Sequence, residues 1–233
     1  MQQTEIPVLC TRPLPDFLVE EAAEAGIIID ELSFIETESI LSVEVQQEIE
    51  LASTENATVI FTSMNAVDAV TVFLDGHRPD WNIYSIGTAT ARLIRTYFGE
   101  ERIAGTAADA TALAELIVED ALTDEVIFFC GDQRRDELPA ILRNNNIEVN
   151  EIVVYQTIAT PHKIDKLYYG ILFFSPSAVQ SFFSKNKVAD KTILFAIGNT
   201  TAKEIKKYST NKTIISDEPG KENLVQKVME YFT

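Results

Sequence analysis

Glu151-Ile152-Val153-Val154-Tyr155-Gln156-Thr157 is the second half of an extended run that begins near Ile147 and ends near Pro161, with no Gly or Pro to break it. An earlier run, Ile27 to Thr37, has the same character. Strands average about five or six residues, so each run is long enough to serve one sheet and then continue elsewhere. They read as paired connectors between two lobes, with Tyr155 placed close to the cleft between them.

The remaining sequence divides to match. The chain has 233 residues, 46% of them hydrophobic, enough for one or two domains with sizeable cores. No apolar run approaches the roughly 18 residues that span a bilayer, and Met1 to Pro7 lack the basic flank and apolar stretch of a signal peptide. Two cysteines, Cys10 and Cys130, form neither a disulfide framework nor a metal-ligand cluster. A cytoplasmic protein with free thiols is expected. The formal charge of −17 argues against nucleic acid or an anionic membrane as partner. Most of the acid falls on helix surfaces, as with Glu20, Glu21 and Glu24, so an anionic substrate on a locally basic site stays open.

Short apolar strands alternate with helical spacing along the chain. Val8 to Thr11, Thr58 to Thr62, Ile83 to Ile86, Ile103, Val126 to Phe129, Gly170 to Phe174, Thr192 to Ala196 and Thr213 to Ile215 read as strands. Between them, helices are predicted over Asp16–Ala25, Ser42–Ala52, Asn65–Leu74, Ala89–Tyr97, Thr111–Ala121, Arg135–Asn145, Ala178–Ser184, Ala202–Tyr208 and Lys221–Phe232. Ser63 and Ser175 are placed to cap helices, and Pro176 suits a first helical position. Such alternation implies parallel sheets covered on both faces.

The pattern occurs twice. Phe61-Thr62-Ser63-Met64-Asn65-Ala66-Val67 matches Phe173-Phe174-Ser175-Pro176-Ser177-Ala178-Val179, 112 residues on. Ile86-Gly87-Thr88-Ala89-Thr90-Ala91 matches Ile197-Gly198-Asn199-Thr200-Thr201-Ala202, 111 residues on. Less closely, Cys10-Thr11-Arg12-Pro13 matches Cys130-Gly131-Asp132-Gln133-Arg134. Two similar doubly wound units of about five strands follow, and the long runs favour exchange of their first strands.

Each repeated motif sits where a parallel strand ends and a helix begins. Backbone N–H groups and the positive end of the helix dipole face outward there. Ser63, Asn65, Thr90, Ser175, Ser177, Thr200 and Thr201 would add hydroxyl or amide donors, and Arg12, Arg134 and Arg135 lie just beyond strand ends. Taken singly, each hydroxyl reads as a helix cap and each arginine as a surface residue. As a set, they suit a ligand with several carboxylates. Tyr155 reads as an interface aromatic. His77 and His162 have no partner motif, and Lys163, Lys166, Lys185 and Lys187 read as solvated. GxGxxG, Walker A, GxSxG and HExxH are absent.

Together, Phe61-Thr62-Ser63-x-Asn65-Ala66-Val67, Ile86-Gly87-x-x-Thr90-Ala91, Cys130-Gly131 through Arg134-Arg135 to Leu138-Pro139, Val153 to Thr157, Phe173 to Ser177 and Ile197-Gly198-x-Thr200-Thr201-Ala202 resemble the uroporphyrinogen-III synthase family. The resemblance runs over nearly the whole chain. It implies two doubly wound, flavodoxin-like parallel-sheet α/β domains joined by a two-stranded linker. Residues 1–33 and 158–233 would form the first lobe, 38–153 the second, and 34–37 with 154–157 the linker strands.

The implied reaction closes the linear tetrapyrrole hydroxymethylbilane with inversion of ring D and loss of water. No cofactor or metal is required, and the protein is expected to act as a monomer on this small molecule. Loss of the hydroxyl gives an azafulvene cation; attack by the substituted position of ring D gives a spiro-pyrrolenine, which fragments and recombines. By motif, Tyr155 would help the hydroxyl depart, Thr90 and Thr201 match the family's cleft threonines, and Ser63, Ser175 and Arg135 would contact substrate. Arg12, Asn65, Ser177 and Thr200 complete the expected substrate-binding set. The connector at Glu36 and Glu38 is more acidic than the resemblance leads one to expect.

Three other readings compete. A non-enzymatic two-lobed ligand-binding protein would keep the architecture without turnover, as would an inactive relative. A pair of receiver-like domains would need an acidic pocket around a phosphoacceptor, for which Asp132 is an isolated candidate.

Overall fold

The computed structural model describes residues 5–218 and 220–233. Its elements in order are β1 (Ile6–Cys10), α1 (Asp16–Glu24), β2 (Ile27–Glu31), β3 (Ile35–Ser39), α2 (Val43–Ser53), β4 (Thr58–Phe61), α3 (Met64–Leu74), β5 (Asn82–Ile86) and α4 (Thr88–Phe98). Next come β6 (Ile103–Ala107), α5 (Ala110–Asp120), β7 (Glu125–Gly131), α6 (Glu137–Asn144) and β8 (Glu148–Ala159). The chain closes with β9 (Gly170–Phe173), α7 (Pro176–Lys185), β10 (Ile193–Ala196), α8 (Asn199–Ile205), β11 (Thr213–Ile215) and α9 (Lys221–Phe232).

These elements divide into two units, one holding Met1–Glu36 with Ile158–Thr233 and the other Thr37–Thr157. In the first, the sheet order is β11-β10-β9-β1-β2, and every neighbouring pair is parallel. In the second the order is β3-β8-β7-β4-β5-β6, parallel from β8 to β6. The fold is α/β with parallel sheets, as the alternation predicts. β1 lies beside β9, and β7 beside β4. The opening strands of each chain half therefore pair with the motif strands of the other half.

Parallel strands need helical crossovers, and the helices bury both faces of each sheet. In the second unit, one face packs Val59, Phe61, Phe129, Ile152 and Val154 with Val67, Val70, Ile94 and Trp81. The other packs Ile60, Tyr84 and Phe128 with Leu113, Ile117 and Leu138. Phe61 stacks on Phe129 at 5.4 Å, and the Trp81 indole N–H donates to the Ala52 carbonyl at 2.9 Å. The first unit has the same two layers. One is centred on Val8, Leu172, Phe195 and Val225, the other on Leu9, Phe173, Phe182 and Ile205.

Several boundaries differ from the sequence reading, two of them at candidate residues. α6 starts at Glu137, leaving Arg135 in the preceding loop. The reason is Pro139: it can occupy the first turn, where its missing N–H is not needed, but not a position one residue past it. α8 starts at Asn199 straight after Gly198, which puts Thr200 and Thr201 in its first turn rather than in a loop. The early run Ile27–Thr37 is broken. β2 stops at Glu31 and β3 starts at Ile35, because Phe34 turns fully into the core of the first unit, against Phe182 at 5.2 Å.

Candidate active site at the strand ends

In the second unit the candidate residues gather at the carboxyl ends of β4, β5, β7 and β8. Ser63 is the N-cap of α3, as its place before an apolar helix predicts, and its Oγ accepts the Ala66 N–H at 3.2 Å. The same hydroxyl donates to the Tyr155 phenol oxygen at 3.1 Å. Tyr155 reaches Ser63 because of a bulge. Cys130 pairs with Val153 but Gly131 pairs with Tyr155, so Val154 is an extra residue in β8. Strict alternation would send Tyr155 to the face of Val153, against α5 and α6. After the bulge it packs instead with Ile152 and Val154, on the face that α3 covers.

Gly131 makes room for the ring. A Cβ on Gly131 would collide with the ring carbons of Tyr155 and sit 2.7 Å from its hydroxyl. Beyond the bulge, Asp132 ties β8 down: its N–H donates to the Tyr155 carbonyl at 3.1 Å, and its carboxylate accepts the Thr157 N–H at 2.9 Å. That use of Asp132 answers the receiver reading, because its carboxylate holds a strand. The sequence offered Gly131 in a weak repeat and a family motif and Asp132 as an isolated acid, but not these roles, which come from a register relation with β8.

The two arginines part ways. Arg134 is half-buried and forms ion pairs with Glu151 and Asp136, so it braces β8. Arg135 is exposed and, among the described residues, makes no ion pair. Asn65 is exposed in the first turn of α3. Thr90 is buried in the first turn of α4, directly after Gly87, whose φ of 80° sharpens the entry.

The first unit has a corresponding rim. Ser175 caps α7 through the Ala178 N–H at 3.1 Å, with Pro176 at the first helical position and half-buried Ser177 beside it. Thr201 is buried in the first turn of α8, equivalent to Thr90, whereas Thr200 is exposed. The hydroxyls of Thr90 and Thr201 have no protein hydrogen bond among the described residues. Thr11, buried, donates to the Leu172 carbonyl at 2.7 Å and fixes the end of β1. Arg12 is exposed, its guanidinium 5.7 Å from the Phe174 ring centre.

Near Arg12 lies Lys221, the first residue of α9, whose ammonium donates to the Pro13 carbonyl at 3.0 Å. Burial, and then the positive charge of Arg12, push the Lys221 pKa down. Cys10, Glu222 and Glu31 act on Lys221 in the opposite sense. Lys221 escaped the sequence reading because nothing local distinguishes it from a helix-start lysine. Its one signal is its place at the start of the helix that follows β11.

Neither thiol is a nucleophile. Burial pushes Cys10 up to about 12 and Cys130 to about 11. Among the described residues, no three His, Cys, Asp or Glu side chains gather as a metal site, and no helix is long and apolar enough to cross a membrane.

These features define a class: a two-unit parallel α/β protein whose strand-end rims carry hydroxyls, amides and cations. The family model for uroporphyrinogen-III synthase HemD matches residues 16–226, and the chain belongs to that family. A Saccharomyces cerevisiae protein named uroporphyrinogen-III synthase is 25% identical over 175 residues, a match covering 64% of each protein. The chain thus spans less than two thirds of that relative's length. Among solved structures, uroporphyrinogen-III synthetase from Helicobacter pylori aligns over 97% of this chain and 99% of its own, with TM-score 0.67 and 16% identity. A mutant uroporphyrinogen III synthase from Thermus thermophilus aligns over 97% and 98%, with TM-score 0.60 and 13% identity. At these identities the structural likeness shows the fold, and the family match carries the membership.

Proposed function

We propose that the protein is an active, cytoplasmic uroporphyrinogen-III synthase that works as a single chain. It closes hydroxymethylbilane to uroporphyrinogen III, with inversion of ring D and release of water. The observation that carries this reading is Tyr155, re-aimed by the β8 bulge and held between Ser63 and Gly131 at the rim of the second unit. Its phenol donates a hydrogen bond, and then a proton, to the departing hydroxyl; the C–O bond breaks, water leaves, and the pyrrole nitrogen lone pair supports the azafulvene cation. After ring D has attacked and the spiro-pyrrolenine has fragmented and recombined, the last ring carbon loses a proton, which returns to the phenolate and restores the phenol.

Uncatalysed closure proceeds without inversion, so the protein's main task is to hold geometry. Substrate carboxylates are assigned to Arg135, Asn65 and Thr90 on one rim. On the other they are assigned to Arg12, Lys221, Ser175, Ser177, Thr200 and Thr201. No pair of coupled carboxylates is needed.

The test is the product isomer. Hydroxymethylbilane is generated in place, incubated with and without the protein, oxidised, and separated into type I and type III uroporphyrins. A catalytic excess of type III supports the reading. Type I alone from folded protein would leave the two-lobed binding protein or inactive relative as the better account.

A further inference from the structure

The resemblance places Ser63 among the substrate contacts, but its hydroxyl is already committed on both sides. We propose that Ser63 is a positioning residue for Tyr155: by giving its only proton to the phenol oxygen, it turns the phenol proton outward toward the leaving hydroxyl. This rests on Tyr155 as the donor, as argued above.

The polarity of the chain follows from its geometry. The Ala66 N–H donates to Ser63 Oγ at 3.2 Å, and Ser63 Oγ donates to the Tyr155 oxygen at 3.1 Å. A serine hydroxyl has one proton to give. With that proton spent on Tyr155, the tyrosine's own proton cannot lie along the same line and is free for a third partner. The relay begins at the N-terminus of α3, an 11-residue helix, where the dipole is positive and the first N–H groups seek acceptors. Donors in such a series polarise one another, and the direction of flow favours release of the proton at the tyrosine end.

The internal duplication separates this bond from capping. Ser175, the equivalent of Ser63, caps α7 at 3.1 Å and, among the described residues, makes no bond to a tyrosine. A cap therefore needs no phenol. The Ser63–Tyr155 bond is an addition to the cap, made possible by two features that exist at β7 and β8: the bulge that re-aims the ring and the glycine that makes room for it.

The experiment is a double-mutant cycle on the full chain, with steady-state formation of type III uroporphyrinogen as one readout. The second is the ring Cζ resonance of Tyr155 in 13C-tyrosine-labelled protein, assigned by its loss in Tyr155→Phe. Ser63→Ala is expected to lower kcat about tenfold with KM changed less than about twofold, and to shift the Cζ resonance. In the Tyr155→Phe background the same change is expected to cost less than about twofold, because the two residues act as one unit. Ser63→Asp keeps acceptor oxygens for the cap but has no proton to donate, so it should fold and turn over as slowly as Ser63→Ala. Ser63→Thr, which keeps both bonds, should restore most of the loss.

An equal loss in both backgrounds would make Ser63 a substrate contact in its own right and overturn the proposal. So would an unchanged kcat, or an unmoved Cζ resonance, in Ser63→Ala. If Tyr155→Phe itself turned over like the native protein, Tyr155 would not be the donor. The Cζ shift would then still report whether the Ser63 bond exists, so the two failures are distinguishable.

Discussion

Gly131 shows how a small residue can carry a function that belongs to its neighbour. It needs no unusual backbone angle; what it supplies is the absence of a Cβ where the Tyr155 ring lies. Gly131→Ala should displace the ring, at about 1–3 kcal/mol of stability for the overpacking. Type III synthesis should fall far more than that loss explains; melting temperature and turnover measured together check this. The adjacent arginines make a matched pair. Arg134→Ala should lower the melting temperature while leaving KM for the bilane nearly unchanged, because its partners are Glu151 and Asp136. Arg135→Ala should raise KM several-fold with little change in melting. Strand-end placement offered both arginines equally, and the family resemblance alone singled out Arg135. What separates them is Glu151, which lies far along the chain and meets Arg134 only once β8 has paired with β7.

At the scale of elements, the strand-to-helix turns were readable and the bulge was not. Ser63 and Ser175 announce themselves by preceding apolar helical runs, and both are found as caps. The bulge at Cys130/Gly131 is a mismatch between two strands, and no local pattern in either strand encodes it. Helix starts were missed where a proline or glycine moved them by a few residues, as at Pro139 and Gly198. A separate element-level feature gives a pH prediction. Asp30, on β2, is held below the usual carboxylate range by the Lys166 ammonium, with the Tyr168 phenol adding to it. A depressed acid contributes stability above its unfolded value, about pH 4, and loses that contribution as pH falls through its folded value. Because the pair is partly exposed, the amount should be no more than about 1 kcal/mol. Asp30→Asn should therefore lower the melting temperature slightly at pH 7, and the difference should shrink as pH falls below about 4, as thermal scans against pH would show.

For the molecule as a whole, composition and charge said least about function. A net charge of −17 gives no hint of a rim where Arg12 and Lys221 lie close enough to oppose each other. The internal duplication said most, because two motifs at nearly one offset identify equivalent strand ends, and Ser63 and Ser175 both cap helices there. Chemistry that depends on one unit alone, such as the Tyr155–Ser63 bond, was hidden by the same symmetry that made the fold legible. The most direct test of the account compares native protein with Tyr155→Phe in the isomer assay, with melting temperatures taken on the same samples. The account predicts mostly type III from the native protein. For Tyr155→Phe it predicts at least about a hundredfold slower turnover, spontaneous type I in excess, and melting within about 2 °C of native. Type I alone from folded native protein, or a Tyr155→Phe variant that matches native turnover, would contradict it.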